Sequence, residues 1–106
     1  MISGDDALTL PLIACGAIGV ISVIANAYPT HFSQMVKLCL DGKFEAARHI
    51  HEKLIPAIQS IFSEGSPSGV KTYLTEMGIV KYNFRLPVVG VSDVLKQEIR
   101  GIMKTL

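Results

Sequence analysis

Residues 7–28 contain no charged side chain, and this uncharged run constrains the fold more than any other feature of the sequence. The run is long enough for a membrane span, but Pro11 and Gly16 divide it into shorter pieces. The flank before it is acidic, whereas a signal peptide opens with a basic region. We therefore expect a short helix ending near Cys15, and then a strand over Gly19–Ala25 whose β-branched residues suit burial on both faces.

A single buried strand needs pairing partners, and no other run in the sequence offers a comparable one. Its backbone groups would be costly to bury unpaired, and the apolar residues 86–91 contain a proline that is typical of an extended loop. The composition is 49% hydrophobic and 18% charged, which is apolar for a lone domain of 106 residues. We therefore expect the chain to be part of a longer protein whose other segments cover some of its surface.

From Pro29 onward, apolar residues recur at helical spacing, as in the stripe Phe32, Met35, Val36 and Cys39. The pattern predicts four helices: one ending at Asp41-Gly42, a longer one over residues 44–62, one from about Pro67 to Gly78, and one beginning near Ser92-Asp93. The predicted order is helix, strand and four helices.

The charge pattern argues against a nucleic-acid or membrane partner. The net charge is +1, and basic and acidic residues alternate along the chain without a polybasic run. Cys15 and Cys39 lie among apolar neighbours without CxxC spacing, which predicts two buried free thiols in a reducing compartment.

No metal or nucleotide motif is present in the sequence. His49 and His51 are two residues apart, so on a helix they point about 200° from one another and cannot share a metal. His51-Glu52 begins like HExxH, but Ile55 stands where the second histidine belongs. We expect all three histidines, His31 included, to be solvated or to cap helices.

The ionisable residues offer one candidate site. None of the seven lysines has the desolvated setting that a Schiff-base lysine needs. Asp5 and Asp6 form the one carboxylate pair, and either can cap the helix that follows. Alternatively, they form the polar rim of a small-molecule site at the carboxyl end of a barrel strand, with residues 1–3 as the end of that strand.

Four segments, in order and at matching spacing, resemble the C-terminal third of the dihydrodipicolinate synthase family. Ser3–Ala7 resembles its S-G-D-D-A segment after the seventh barrel strand, and Gly19–Asn26 resembles G-V-I-S-V-x-A-N on the eighth strand. Phe62–Lys71 resembles F-x-E-x-N-P-x-x-V-K, although Ser66 and Gly69 depart from the family's usual Asn and Pro. Residues 85–87 match its late R-L-P.

This resemblance implies an α/β fold: the last part of a (β/α)8 barrel over residues 1–41, then a helical domain over residues 42–106, so that the chain itself is mostly α-helical. It implies a cytoplasmic lyase of lysine and diaminopimelate biosynthesis, usually a homotetramer without a cofactor. In that family a lysine forms a Schiff base with pyruvate, and the enamine condenses with aspartate 4-semialdehyde.

The resemblance also implies which residues touch the substrate. Ile21 matches the eighth-strand isoleucine whose backbone lines the pyruvate site, and Gly4, Asp5 and Asp6 match the rim after strand seven. The catalytic lysine and the proton-relay residues match no position here, so we expect the 106 residues alone to be inactive. The alternative is a non-catalytic helical module whose apolar N-terminal segment docks a partner or a membrane.

Overall fold

The computed structural model describes residues 1–65, 67–81 and 90–106. These residues form five α-helices and one short 3₁₀ helix, Ile24–Asn26. The α-helices are α1 (Thr9–Ala14), α2 (Pro29–Leu40), α3 (Phe44–Ser63), α4 (Ser68–Glu76) and α5 (Asp93–Met103). The chain divides into two compact units, Met1–Ile55 and Pro56–Leu106, and the division falls within α3. The expectation of a mostly helical chain is confirmed for the described residues.

The first unit begins with a short parallel pairing of two extended segments. Ser3 and Val20 form a parallel bridge. The amide of Ser3 donates to the carbonyl oxygen of Gly19 at 2.8 Å, and the amide of Ile21 donates to the carbonyl oxygen of Ser3 at 2.9 Å. The extended segment around Val20 therefore has a partner within the chain, which corrects the expectation that the sequence supplies none.

The strand predicted over Gly19–Ala25 is much shorter than expected. Within the described residues the pairing stops beyond the bridge at Val20, and the chain bends into the 3₁₀ helix Ile24–Asn26. The physical reason is that side chains, rather than a neighbouring strand, accept hydrogen bonds from the amides of residues 23–25. Ile21 is 78% exposed, so the described residues do not by themselves supply the predicted burial on both faces.

In this first unit, α1 and the 3₁₀ helix both pack against α2. Three of the four residues of the predicted stripe, Phe32, Met35 and Cys39, are buried, and the fourth, Val36, is half-buried. Helix α2 ends where expected, with Gly42 at φ +76°, a left-handed conformation that favours glycine.

The two cysteines differ in exposure. Cys39 is buried, as predicted, and burial raises the pKa of its thiol. Cys15 is exposed, so the prediction of a second buried thiol is wrong. The reason is that Cys15 is the C-cap of α1, where the helix gives way to a turn at Gly16.

The second unit is built around buried residues of α3, α4 and α5, and α4 packs against α5. Its core contains Ala57, Ile58, Ile61, Val70, Tyr73, Leu95 and Ile99. A polar contact lies within this core, because the hydroxyl groups of Ser60 and Tyr73 are 2.6 Å apart and both residues are almost fully buried. Residues 85–87, which carry the R-L-P resemblance, and Ser66 lie outside the described residues.

The start of α4 lies close to the backbone of α3. A Cβ atom added at Gly69 would overlap the carbonyl group of Ile61, with the Cα of Ile61 at 2.7 Å. The overlap is with backbone atoms, which cannot rotate away as the end of a side chain can. A side chain at residue 69 would therefore force the backbones of α3 and α4 apart at this point.

We expect Gly69→Ala to destabilise the second unit by about 1–3 kcal/mol, the usual cost of overpacking. The measurement is thermal unfolding followed by the circular-dichroism signal of the helices. Gly101→Ala is the matched control, since no atom lies within 4 Å of a Cβ placed there and alanine favours an exposed helical position. Equal effects of the two substitutions would contradict the close approach.

Helix α5 begins with a double cap. The helix begins where the sequence predicts, and the hydroxyl of its N-cap residue Ser92 accepts a hydrogen bond from the amide of Leu95. The amide and the hydroxyl of Ser92 in turn donate to the two carboxylate oxygens of Glu64. These hydrogen bonds, first that of the hydroxyl and then that of the amide, hold the pKa of Glu64 below its usual value.

A carboxyl group whose pKa is lower in the folded than in the unfolded chain stabilises the fold above the unfolded pKa, about 4.3 for glutamate. That stabilisation is lost as the pH falls through the folded pKa. We therefore expect Glu64→Gln to lower the unfolding temperature at pH 7, and the difference from the parent chain to shrink steadily below about pH 4.3. The control is Glu98→Gln, at an exposed carboxylate on α5. A Glu64→Gln difference that stays constant from pH 7 to pH 3 would refute the role of the ionised cap.

Candidate functional site

The parallel pairing brings together the residues that the sequence singled out. Because the carbonyl of Ser3 accepts a hydrogen bond from the amide of Ile21, the chain leaves both extended segments at the same end. Gly4 and Asp5 follow one segment, and Ile21 lies at the end of the other. All three are exposed. Small-molecule sites of parallel α/β folds lie at this carboxyl end of the strands, so we call Gly4, Asp5, Asp6 and Ile21 the carboxyl-end corner.

Asp5 organises the turn that leads into α1. Its Oδ1 accepts hydrogen bonds from the amide of Ala7 at 2.9 Å and from that of Leu8 at 3.3 Å. The carboxylate thus satisfies amides of the turn before α1, whereas α1 itself begins at Thr9 with Leu8 at its N-cap and no side-chain cap hydrogen bond, so the predicted capping of the helix is wrong. Asp5 remains exposed, and its other carboxylate oxygen makes no hydrogen bond to the described residues.

Asp6 is turned into the first unit and is only 3% exposed. Its Oδ2 accepts hydrogen bonds from two successive amides, that of Val23 at 3.1 Å and that of Ile24 at 2.9 Å. The two carboxylates of the pair therefore have different environments, and in the described residues only Asp5 presents its carboxylate at the surface of the corner.

The hydroxyl groups of two buried residues, Ser3 and Thr9, hold the backbone of Asp5 in place. Ser3 and Thr9 are almost fully buried, and their hydroxyl oxygens are 3.1 Å apart. Both hydroxyls donate to the carbonyl oxygen of Asp5, that of Ser3 at 3.0 Å and that of Thr9 at 2.8 Å. Neither residue was predicted to have this role. The available signal was a threonine inside an otherwise apolar segment, where a buried hydroxyl requires a partner.

Beyond Ile21, side chains satisfy the first turn of the 3₁₀ helix. The hydroxyl of Ser22 accepts a hydrogen bond from the amide of Ala25 at 3.1 Å. Together with the two bonds to Asp6, this pairs three successive amides that would otherwise lack acceptors. The end of the extended segment is therefore fixed by two separate side chains.

Neither of two surface grooves in the first unit includes Ile21, Gly4 or either aspartate. One, of about 450 Å³, lies beside α2 and is lined by Gly19, Val20, Ser22, Ala25, Pro29, Phe32, Ser33, Val36 and Lys37. The other, of about 570 Å³, lies at the start of α3 and is lined by residues 42–46 and His49. Three residues of the carboxyl-end corner, Gly4, Asp5 and Ile21, lie exposed at the surface, whereas Asp6 is buried beneath it.

The described residues contain no group of three or more histidine, cysteine, aspartate or glutamate residues placed to hold a metal ion. His51 departs from the expectation of a solvated side chain. Its Nδ1 is buried without a hydrogen-bond partner among the described residues. Burial lowers the pKa of this histidine, and the nearby Glu52 has a smaller, opposing effect.

Among the described residues, no helix has both the length and the apolar character needed to cross a membrane.

Comparison with known proteins gives a consistent result along the whole chain. The model of the dihydrodipicolinate synthetase family matches residues 1–106. A 4-hydroxy-tetrahydrodipicolinate synthase of Parabacteroides distasonis is 43% identical over 106 residues, which cover 100% of this chain and 36% of the relative. One of the same name from Methanocaldococcus jannaschii is 45% identical, with 100% and 37% covered.

Solved structures agree with these relatives. A crystal structure of dihydrodipicolinate synthase from Aquifex aeolicus is 39% identical, superposes with a TM-score of 0.93, and is matched over 97% of this chain and 35% of its own. The chain thus spans a little over a third of the length of the curated relatives that it matches. With a family match over all its residues, the chain belongs to the dihydrodipicolinate synthetase family.

Proposed function

We propose that this chain supplies one wall of the pyruvate site in a synthase that condenses pyruvate with aspartate 4-semialdehyde. The observation that carries the proposal is the parallel pairing of Ser3 with Val20, which sets Gly4 and Asp5 beside Ile21 at one end of two extended segments. The names of the relatives, which are 4-hydroxy-tetrahydrodipicolinate synthases, support the same activity.

In this proposal the paired segments are the ends of the last two strands of a (β/α)8 barrel. Residues 1–3 are the end of the seventh strand, residues 18–21 belong to the eighth, and the barrel part extends over residues 1–41. Residues 42–106 form the helical domain. The exposure of Ile2 (59%), Ile18 (70%) and Ile21 (78%) supports this assignment, because apolar side chains next to a parallel pair are normally covered by neighbouring elements.

The chemistry of the reaction belongs to residues that match no position of this chain. A lysine elsewhere in the synthase attacks the ketone of pyruvate, water leaves as the imine forms, and the derived enamine attacks the aldehyde carbon. Gly4, Asp5 and Ile21 act on the substrate side as scaffolding: the backbone of Ile21 lines the pyruvate site, and Gly4 with Asp5 forms the rim. We further propose that the complete synthase is a cytoplasmic homotetramer that needs no cofactor.

The isolated 106 residues should form no covalent adduct when treated with pyruvate and borohydride, because none of the seven lysines is buried and a Schiff-base lysine needs a desolvated setting. Mass spectrometry of the treated chain measures this directly. An adduct on any of the seven lysines would overturn the expectation that the chain alone is inactive.

A second experiment uses a chimeric protein, in which this chain is joined to the upstream two thirds of the Parabacteroides distasonis synthase. This chimera should trap pyruvate on one lysine outside the 106 residues and should release product with aspartate 4-semialdehyde. If it does neither, the proposed function is wrong.

A further inference from the structure

Asp6 connects two parts of the first unit that are far apart in sequence. Its Oδ2 accepts hydrogen bonds from amides 17 and 18 residues further along the chain. One oxygen thus accepts two hydrogen bonds, and this acceptor is buried, where competition from water is small. Asp6 therefore fixes the backbone at Val23 and Ile24 relative to the turn before α1.

These bonds bracket the peptide group that follows Ile21. On one side, the amide of Ile21 is held by the carbonyl oxygen of Ser3 at 2.9 Å. On the other, Val23 and Ile24 are held by Asp6 at 3.1 Å and 2.9 Å. With both ends fixed, the direction of the Ile21 carbonyl is set by the few backbone dihedral angles between them. None of the described residues donates a hydrogen bond to that carbonyl oxygen, so it is free to face a ligand.

The second oxygen of Asp6 indicates that this side chain does more than stabilise the fold. Its Oδ1 is buried and has no hydrogen-bond partner among the described residues. A buried, unpaired polar atom is destabilising, so the carboxylate is not the side chain that stability alone would favour. Local exceptions of this kind concentrate at functional sites.

We propose that Asp6 is a positioning residue of the pyruvate site. From its buried position it sets the direction of the Ile21 carbonyl, and it does not itself contact the substrate. The inference rests on the proposed function. It assigns the two carboxylates of the pair different roles: Asp5 belongs to the exposed rim, and Asp6 acts through the backbone of the other segment.

The test uses the chimera described above and compares Asp6→Ala with Asp6→Asn. Alanine removes the acceptor, whereas asparagine keeps one oxygen that can accept from both amides. We expect Asp6→Ala, which removes the acceptor of both amides and so releases the Ile21 carbonyl from its fixed direction, to raise the KM for pyruvate about tenfold. Asp6→Asn should restore the KM to within about threefold of the parent enzyme. Asp41→Ala, at an exposed carboxylate after α2, is the control and should leave the KM unchanged.

The KM separates positioning from a purely structural role. A variant that merely unfolds in part lowers the amount of active enzyme, and hence the apparent kcat, but the folded molecules keep the parent KM. An unchanged KM in Asp6→Ala would therefore overturn the inference. If the alanine variant does not fold, Asp6→Glu provides the second test, because it keeps the charge but displaces the acceptor, and an unchanged KM there would also overturn it. A parent chimera that traps no pyruvate would refute the proposed function itself.

Discussion

The parallel pairing between residues 1–3 and residues 18–21 is the contact on which the first unit depends. Two short backbone hydrogen bonds at Ser3 join segments that are separated by a turn and by the whole of α1. The hydroxyls of Ser3 and Thr9 and the carboxylate of Asp6 then hold what lies around that contact. Three polar residues, each nearly fully buried, thereby hold the exposed residues Gly4, Asp5 and Ile21 in place.

The helices could be predicted because their signals are local. The stripe along α2, the stop at Asp41-Gly42 and the helix start near Ser92-Asp93 each depend on residues within a few positions of one another. The stop and the start are confirmed, and three of the four stripe residues are buried. The family resemblance was also correct, since it rested on several segments in register.

The extent of the strand could not be predicted in the same way. Its apolar and β-branched residues favour extended structure, but whether a backbone continues as a strand depends on which acceptor its amides find. For Val23 and Ile24 that acceptor is a side chain 17 and 18 residues earlier, a separation that no local pattern reveals. The different burial of Asp5 and Asp6 could not be predicted either, because two adjacent identical residues give no sequence signal of which one is buried.

The extended segment around Ile21 has a further consequence for handling the protein. In the described residues it is paired along one edge only, and its apolar side chain is largely exposed. An open strand edge of this kind can recruit the same segment of a second molecule. When the chain is produced alone, association between copies therefore competes with the native arrangement, and that competition grows with protein concentration.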